Sequence, residues 1–141
     1  MAEHGIDVLL VSVGHDLPYL TGYHAMPLER LTMLVVPRDG DATLLVPALE
    51  APRVTERPGV FDLVPWGETV DPVALVAELA AGAGSGAVGD QMWGRVLVEL
   101  LPLLPGAEDR RAVDVIGHQR MVKDQAEVDA LAAAGAAVDR I

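Results

Sequence analysis

Apolar positions along this chain fall into short blocks, and their spacing alternates between continuous runs and repeats of three to four residues. Residues 6–13 form a β-branched, Leu-rich run ending at Gly14, which reads as a buried strand. Residues 16–23 follow as a short helix or turn that breaks at Gly22. Two further apolar runs, 31–36 and 42–46, flank Arg38, Asp39, Gly40 and Asp41. An Asp-Gly pair between such runs predicts an antiparallel hairpin. Residues 49–57 predict a weak helix, interrupted by Pro52 and stopped before Pro58 and Gly59, because proline removes a backbone donor. Residues 60–65 predict a fourth strand.

Asp71 followed by Pro72 marks a helix start, an acceptor for free amides and then a ring already set to helical φ. The helix over 72–81 is apolar on nearly every side except Glu78, so deep packing is expected. Residues 82–86 end it, and 87–90 predict a short fifth strand. Trp93, Val96, Leu97, Leu100 and Leu101 recur at helical spacing, an amphipathic helix closed by Pro102 and Pro105. A sixth strand is expected over 111–115. Asp124 and Glu127 then form a capping-box-like pair before Val128, Leu131, Val138 and Ile141. That stripe still runs at Ile141 with nothing to stop it, which predicts further polypeptide beyond. Strands alternating with helices, plus one hairpin, imply an α/β fold with a mixed sheet covered on both faces.

Composition narrows the classes. At 141 residues the chain fits one domain, burying roughly two-thirds of its unfolded surface. Apolar residues reach 51% but aromatics only 4%, so Leu, Val and Ala fill the core and few rings remain to stack on a base or sugar. The formal net charge is −11, with 21 acidic against 10 basic residues and no basic run. Nucleic-acid backbones and anionic membrane surfaces would meet net repulsion. With no cysteine, disulfides, thiolate nucleophiles and Cys-based zinc sites fall away together. Glu3 and Asp7 occupy the place of a basic leader, and the longest apolar stretches are broken by Ser12, Glu99 or Pro102. The expectation is a cytoplasmic protein without a membrane span.

Candidate chemistry is sparse. Gly84, Gly86 and Gly89 fit the spacing of the dinucleotide fingerprint, which works when a strand precedes the glycines and a helix follows. Here the predicted order is reversed, so a helix stop and a turn are expected instead. His4, His15, His24 and His118 include no pair four residues apart, as a helical zinc site would need. Ser12 and Ser85, the only serines, lie in no nucleophile elbow, and no closely spaced carboxylate pair stands out for acid–base work. The segment after the first strand differs, because α/β sheets expose ligand-binding loops there. It gathers His15, Asp16, Tyr19, Tyr23, His24 and Arg30. Two readings stay open: an ordered turn with both tyrosines on one helical face, or a rim over a neighbouring site.

The run Ile6-Asp7-Val8-Leu9-Leu10-Val11, then Tyr19-Leu20-Thr21-Gly22-Tyr23, then the hairpin resembles the amino-terminal domain of the creatinase/prolidase (Xaa-Pro peptidase) family. Arg120-Met121-Val122-Lys123-Asp124, with Glu127 and Leu131, resembles that family's junction before its catalytic domain. The resemblance spans the chain, departing where it starts late and where His15 and Asp16 replace an Asn-like turn residue. It implies a three-layer α/β/α fold with a mixed, about six-stranded sheet of ribonuclease-H-like topology. It implies a front domain over 1–122 and, over 123–141, the start of a linker helix to a catalytic domain absent here. No catalytic or metal-binding residue carries over to this chain. Two divalent ions, manganese or cobalt, belong to the absent domain in the peptidase branches; the creatinase branch uses no metal.

The implied role is non-catalytic: dimer formation and narrowing of the partner subunit's active site for short peptide substrates. The candidates for a substrate rim or dimer contact are His15, Tyr19, Tyr23, His24, Arg30 and Trp66. The implied partners are the chain's own carboxy-terminal catalytic domain, a second copy and a short peptide, with no nucleic acid and no membrane. A stand-alone α/β binding or assembly module is the alternative, and a small nucleotide-binding protein a third reading.

Overall fold

A computed structural model describes residues 1–104 and 108–140 of the chain. Six strands, β1 (Val8–Ser12), β2 (Met33–Pro37), β3 (Thr43–Pro47), β4 (Asp62–Trp66), β5 (Ser85–Val88) and β6 (Glu108–Arg111), form one sheet in the order β4-β3-β2-β1-β5-β6. β2 pairs antiparallel with β1 and with β3, whereas β1–β5, β3–β4 and β5–β6 are parallel. Five strands therefore run one way and β2 alone runs against them. The hairpin expectation holds, with Met33 opposite Leu45 and Val35 opposite Thr43.

The helices are α1 (Asp16–Thr21), α2 (Pro72–Leu79), α3 (Gly94–Leu100), α4 (Val113–Met121) and α5 (Gln125–Val138). Alternate strand side chains point to opposite faces of the sheet, and each face carries its own core. On one face Leu9, Val11, Leu34, Leu44 and Val46 pack with Leu17 of α1 and Ile116 of α4. On the other, Val8, Leu10, Met33, Val35 and Leu45 pack with Val73 and Val76 of α2 and Val96 and Leu100 of α3. This is the three-layer α/β/α arrangement with the ribonuclease-H-like mixed sheet that the family resemblance implied. Burial of each such Leu or Val contributes on the order of 1.5–3 kcal/mol.

Several expectations need correction. Residues 111–115 do not form a strand: β6 lies at Glu108–Arg111 and α4 begins at Val113. β6 reads Glu-Asp-Arg-Arg, the charged composition of a sheet edge rather than its centre. Residues 49–57 hold only a 3-10 turn, Ala51–Arg53, after which Val54 is extended. α2 buries Val73, Val76 and Ala80 on one side, while Leu79 is 41% exposed; its apolar surface is packed on one face, not all round. β5 starts at Ser85, two residues before the expected position. The capping box holds: Asp124 accepts from the Glu127 amide and Glu127 accepts from the Asp124 amide. The stop at Pro105 and the stripe residue Ile141 lie outside the described residues.

Candidate functional site

Because five strands share one direction, their carboxyl ends and the start of β2 meet along a single edge of the sheet, where open α/β sheets place ligand-facing loops. Long-range hydrogen bonds stitch this edge together. The Ser12 hydroxyl donates to the Thr32 carbonyl at 3.2 Å, and the Ala48 amide donates to the Trp66 carbonyl at 2.8 Å. Trp66 Nε1 donates to the Leu31 carbonyl at 2.9 Å. The His15 amide donates to Gln91 Oε1 at 3.1 Å. Arg95 Nη2 donates to the Glu29 carbonyl at 2.8 Å.

Gly14 is required at this edge. Its φ is +146°, and a Cβ there would lie 2.4 Å from Gln91 Oε1, so a side chain would expel the group that holds the His15 amide. Between Val13, Pro27, Met92 and Trp93 opens a cleft of about 310 Å³, with the Trp93 ring half exposed.

The sequence-named residues divide into three kinds. His15, Arg30 and Trp66 lie on the edge itself: His15 is exposed above the Gln91 contact, and Arg30 Nη1 pairs with Glu68 Oε1 at 2.7 Å. Trp66 is fixed by its indole bond and packs into the second core. Tyr23 is buried at 5% exposure. Its hydroxyl donates to Glu50 Oε2 at 2.9 Å, and its amide donates to Thr21 Oγ1. Burial, reinforced by the Glu50 carboxylate, pushes the Tyr23 phenol up to about 12. Tyr19 and His24 are exposed and make no side-chain hydrogen bond among the described residues. The edge does not bring all six into one cluster.

Sequence reasoning missed the groups that organise this edge. Gln91, Arg95, Glu50 and Arg120 act over 27 to 104 positions of chain, so no local spacing announces them. Arg120 Nη1 donates to Asp16 Oδ1 at 2.7 Å, tying the end of α4 to the start of α1. Arg111 grips Asp90 through Nε at 3.2 Å and Nη2 at 2.6 Å; this bidentate bond holds the Asp90 carboxyl below its ordinary value and the guanidinium above its own.

Among the described residues no three His, Asp or Glu side chains converge where they could hold a metal ion. The side chains of the described residues therefore do not fit a two-metal centre. No helix is long and apolar enough to cross a membrane among the described residues.

Comparison with known proteins agrees with this geometry. Over 146 aligned residues the chain is 36% identical to proteins described as "Probable dipeptidase PepE" from Mycobacterium bovis and Mycobacterium tuberculosis, covering 99% of this chain and 38% of theirs. The crystal structure of dipeptidase PepE from Mycobacterium ulcerans superposes with a TM-score of 0.87 at 40% identity, covering 99% of this chain and 38% of that one. A proline dipeptidase structure from Streptococcus pneumoniae gives a TM-score of 0.74 at 26% identity, covering 86% of this chain and 92% of that one. The chain thus spans less than half the length of the PepE relatives it matches. The model of the Creatinase/Prolidase N-terminal domain matches residues 1–122. With the sheet order, the two-faced core and these matches in agreement, the chain belongs to the Creatinase/Prolidase N-terminal domain family.

Proposed function

We propose that this chain is the non-catalytic front domain of a cytoplasmic Xaa-Pro-type metallopeptidase, contributing to dimer formation and restricting access to the partner subunit's active site. The observation that carries this reading is coverage: the chain aligns over 99% of its own length with only 38% of proteins described as dipeptidases. The groups that hold metal and cleave the peptide would then lie outside these residues, with manganese or cobalt as the expected ions. Residues 1–122 would be the front domain, and 123–141 would open the linker helix. α5 supports that division, because none of its residues is buried and Val128, Leu131 and Val138 are 44%, 60% and 68% exposed. An apolar stripe of this kind suits a helix that packs against a further domain.

The rim of the partner's cleft would come from the carboxyl edge. His15, Tyr19, His24 and Arg30 offer exposed or half-exposed polar groups, while Trp66 and Tyr23 hold the loops from below. A rigid wall at this place excludes long peptides by sterics, and polar groups orient the end of a short one.

The test is enzymatic. The 141-residue chain, supplied with manganese or cobalt, is expected to release no amino acid from Xaa-Pro dipeptides. Turnover that a chelator abolishes would overturn the non-catalytic reading. Joined to its catalytic domain, the protein should sediment as a dimer, and a monomer with full activity would remove the proposed role in restricting the partner's site.

A further inference from the structure

The Gly84-Ser85-Gly86 stretch takes no part in the proposed function, yet its backbone converges on one carboxylate. Asp7, just before β1, accepts through Oδ2 from the Gly84 amide at 2.9 Å and the Ser85 amide at 3.1 Å. Arg38 Nη1 stands 2.6 Å from Oδ1. Ser85 Oγ lies 3.2 Å from Oδ2 and 2.6 Å from the Gly5 carbonyl. The hydroxyl has one proton, so at those distances it serves Gly5, leaving two amides and a guanidinium as the donors to Asp7. Two consecutive amides aimed at one anion make a nest. A Cβ at Gly84 would come 3.3 Å from Asp7 Oδ2, a tight approach that glycine avoids. The Gly84 amide holds the Asp7 carboxyl below its ordinary value, against partial desolvation and with help from Arg38 and Ser85. The site is not sealed: a cleft of about 280 Å³ opens beside it, between Asp7, Pro37, Arg38, Asp39 and the end of α2.

We propose that residues 84 and 85, with Arg38 as a cationic wall, form a carboxylate-binding site that the chain keeps closed by supplying Asp7 as its resident ligand. The glycine spacing that matches a dinucleotide fingerprint then has a different purpose. The amides that would meet a pyrophosphate already hold a carboxylate, placed by the chain 77 residues away from Gly84. A simple latch and a ligand site differ in one respect. Removing Asp7 destroys a latch, whereas a site left without its ligand can be refilled from solution.

The experiment uses Asp7→Ala and Asp7→Asn in the 141-residue chain, with acetate as the probe against chloride at constant ionic strength. In Asp7→Ala, the Gly84 and Ser85 amide resonances should move saturably with acetate, and Tm should rise by about 3 °C. The wild-type chain and Asp7→Asn, whose side-chain carbonyl still fills the nest, should show neither response. Adding Arg38→Gln to Asp7→Ala should weaken acetate binding at least about threefold, as expected when a charge-assisted donor is lost. Should Asp7→Ala not fold in chloride, acetate-dependent recovery of the folded spectrum supports the site, and no recovery overturns it. Amides in folded Asp7→Ala that ignore acetate, or that move equally in the wild type, overturn it as well.

Discussion

The Tyr23 hydroxyl donates to Glu50 from a ring that is almost wholly buried, and Glu50 is itself only 9% exposed. Tyr23→Phe keeps the ring's packing but leaves a buried carboxylate short of a donor. It should cost about 1–2 kcal/mol in chemical denaturation, while Tyr19→Phe, on an exposed ring, should cost little. The pH dependence follows from the direction of the shift. The phenol titrates near 10.0 when unfolded and near about 12 when folded. Its stabilising contribution is therefore complete below pH 10 and is lost as pH rises towards 12. The gap between wild type and Tyr23→Phe should shrink across that window, and a gap that stays constant would show that the phenol does not titrate as described. Tyr19 and Tyr23 stand four positions apart and look equivalent in the sequence. What separates them is Glu50, which β3 delivers from 27 residues away, and this is why the candidate residues could be named but not sorted beforehand.

At the scale of elements, legibility followed local chemistry. Asp71 and Pro72 announced α2, and the Asp71 side chain accepts from the Val73 amide at 2.9 Å and the Ala74 amide at 3.3 Å. Asp71→Ala should lower stability by about 1 kcal/mol, read from the denaturation midpoint, and an unchanged midpoint would mean that water serves those amides equally well. α4 was missed for a physical reason. Of its nine residues only Ile116 is buried, so it carries no apolar stripe, and its Val113 and Val115 imitate a strand. β6 was expected but placed three residues too late for the converse reason: a strand of four charged residues at a sheet edge has no apolar alternation to detect. The central strands, buried on both faces, were the easiest to read. The charged edge strand and the half-packed helix take their form from neighbours.

Across the whole molecule, the two cores close around the sheet without help from α5, which buries nothing among the described residues. Leu131→Ser combined with Val138→Ser should therefore leave thermal stability of the chain within about 0.5 kcal/mol of wild type. A clear fall in Tm would show that α5 packs on the domain in solution. Joined to the catalytic domain proposed above, the chain carrying the same pair should show a weaker hold between the two, seen as faster proteolytic separation at residues 121–124.

The reversed direction of β2 has a consequence for how this domain can vary. A chain leaving β1 at the carboxyl edge comes back into the sheet from that same edge, so residues 13–32 make one excursion without crossing to the other side. Its two ends are clamped by five β1–β2 pairings, Val8–Pro37 through Ser12–Met33. The excursion behaves like a cartridge held in a fixed socket. Under the rim role proposed above, changes of length or sequence at residues 24–28 should alter the rim while the β1–β2 register beneath stays put.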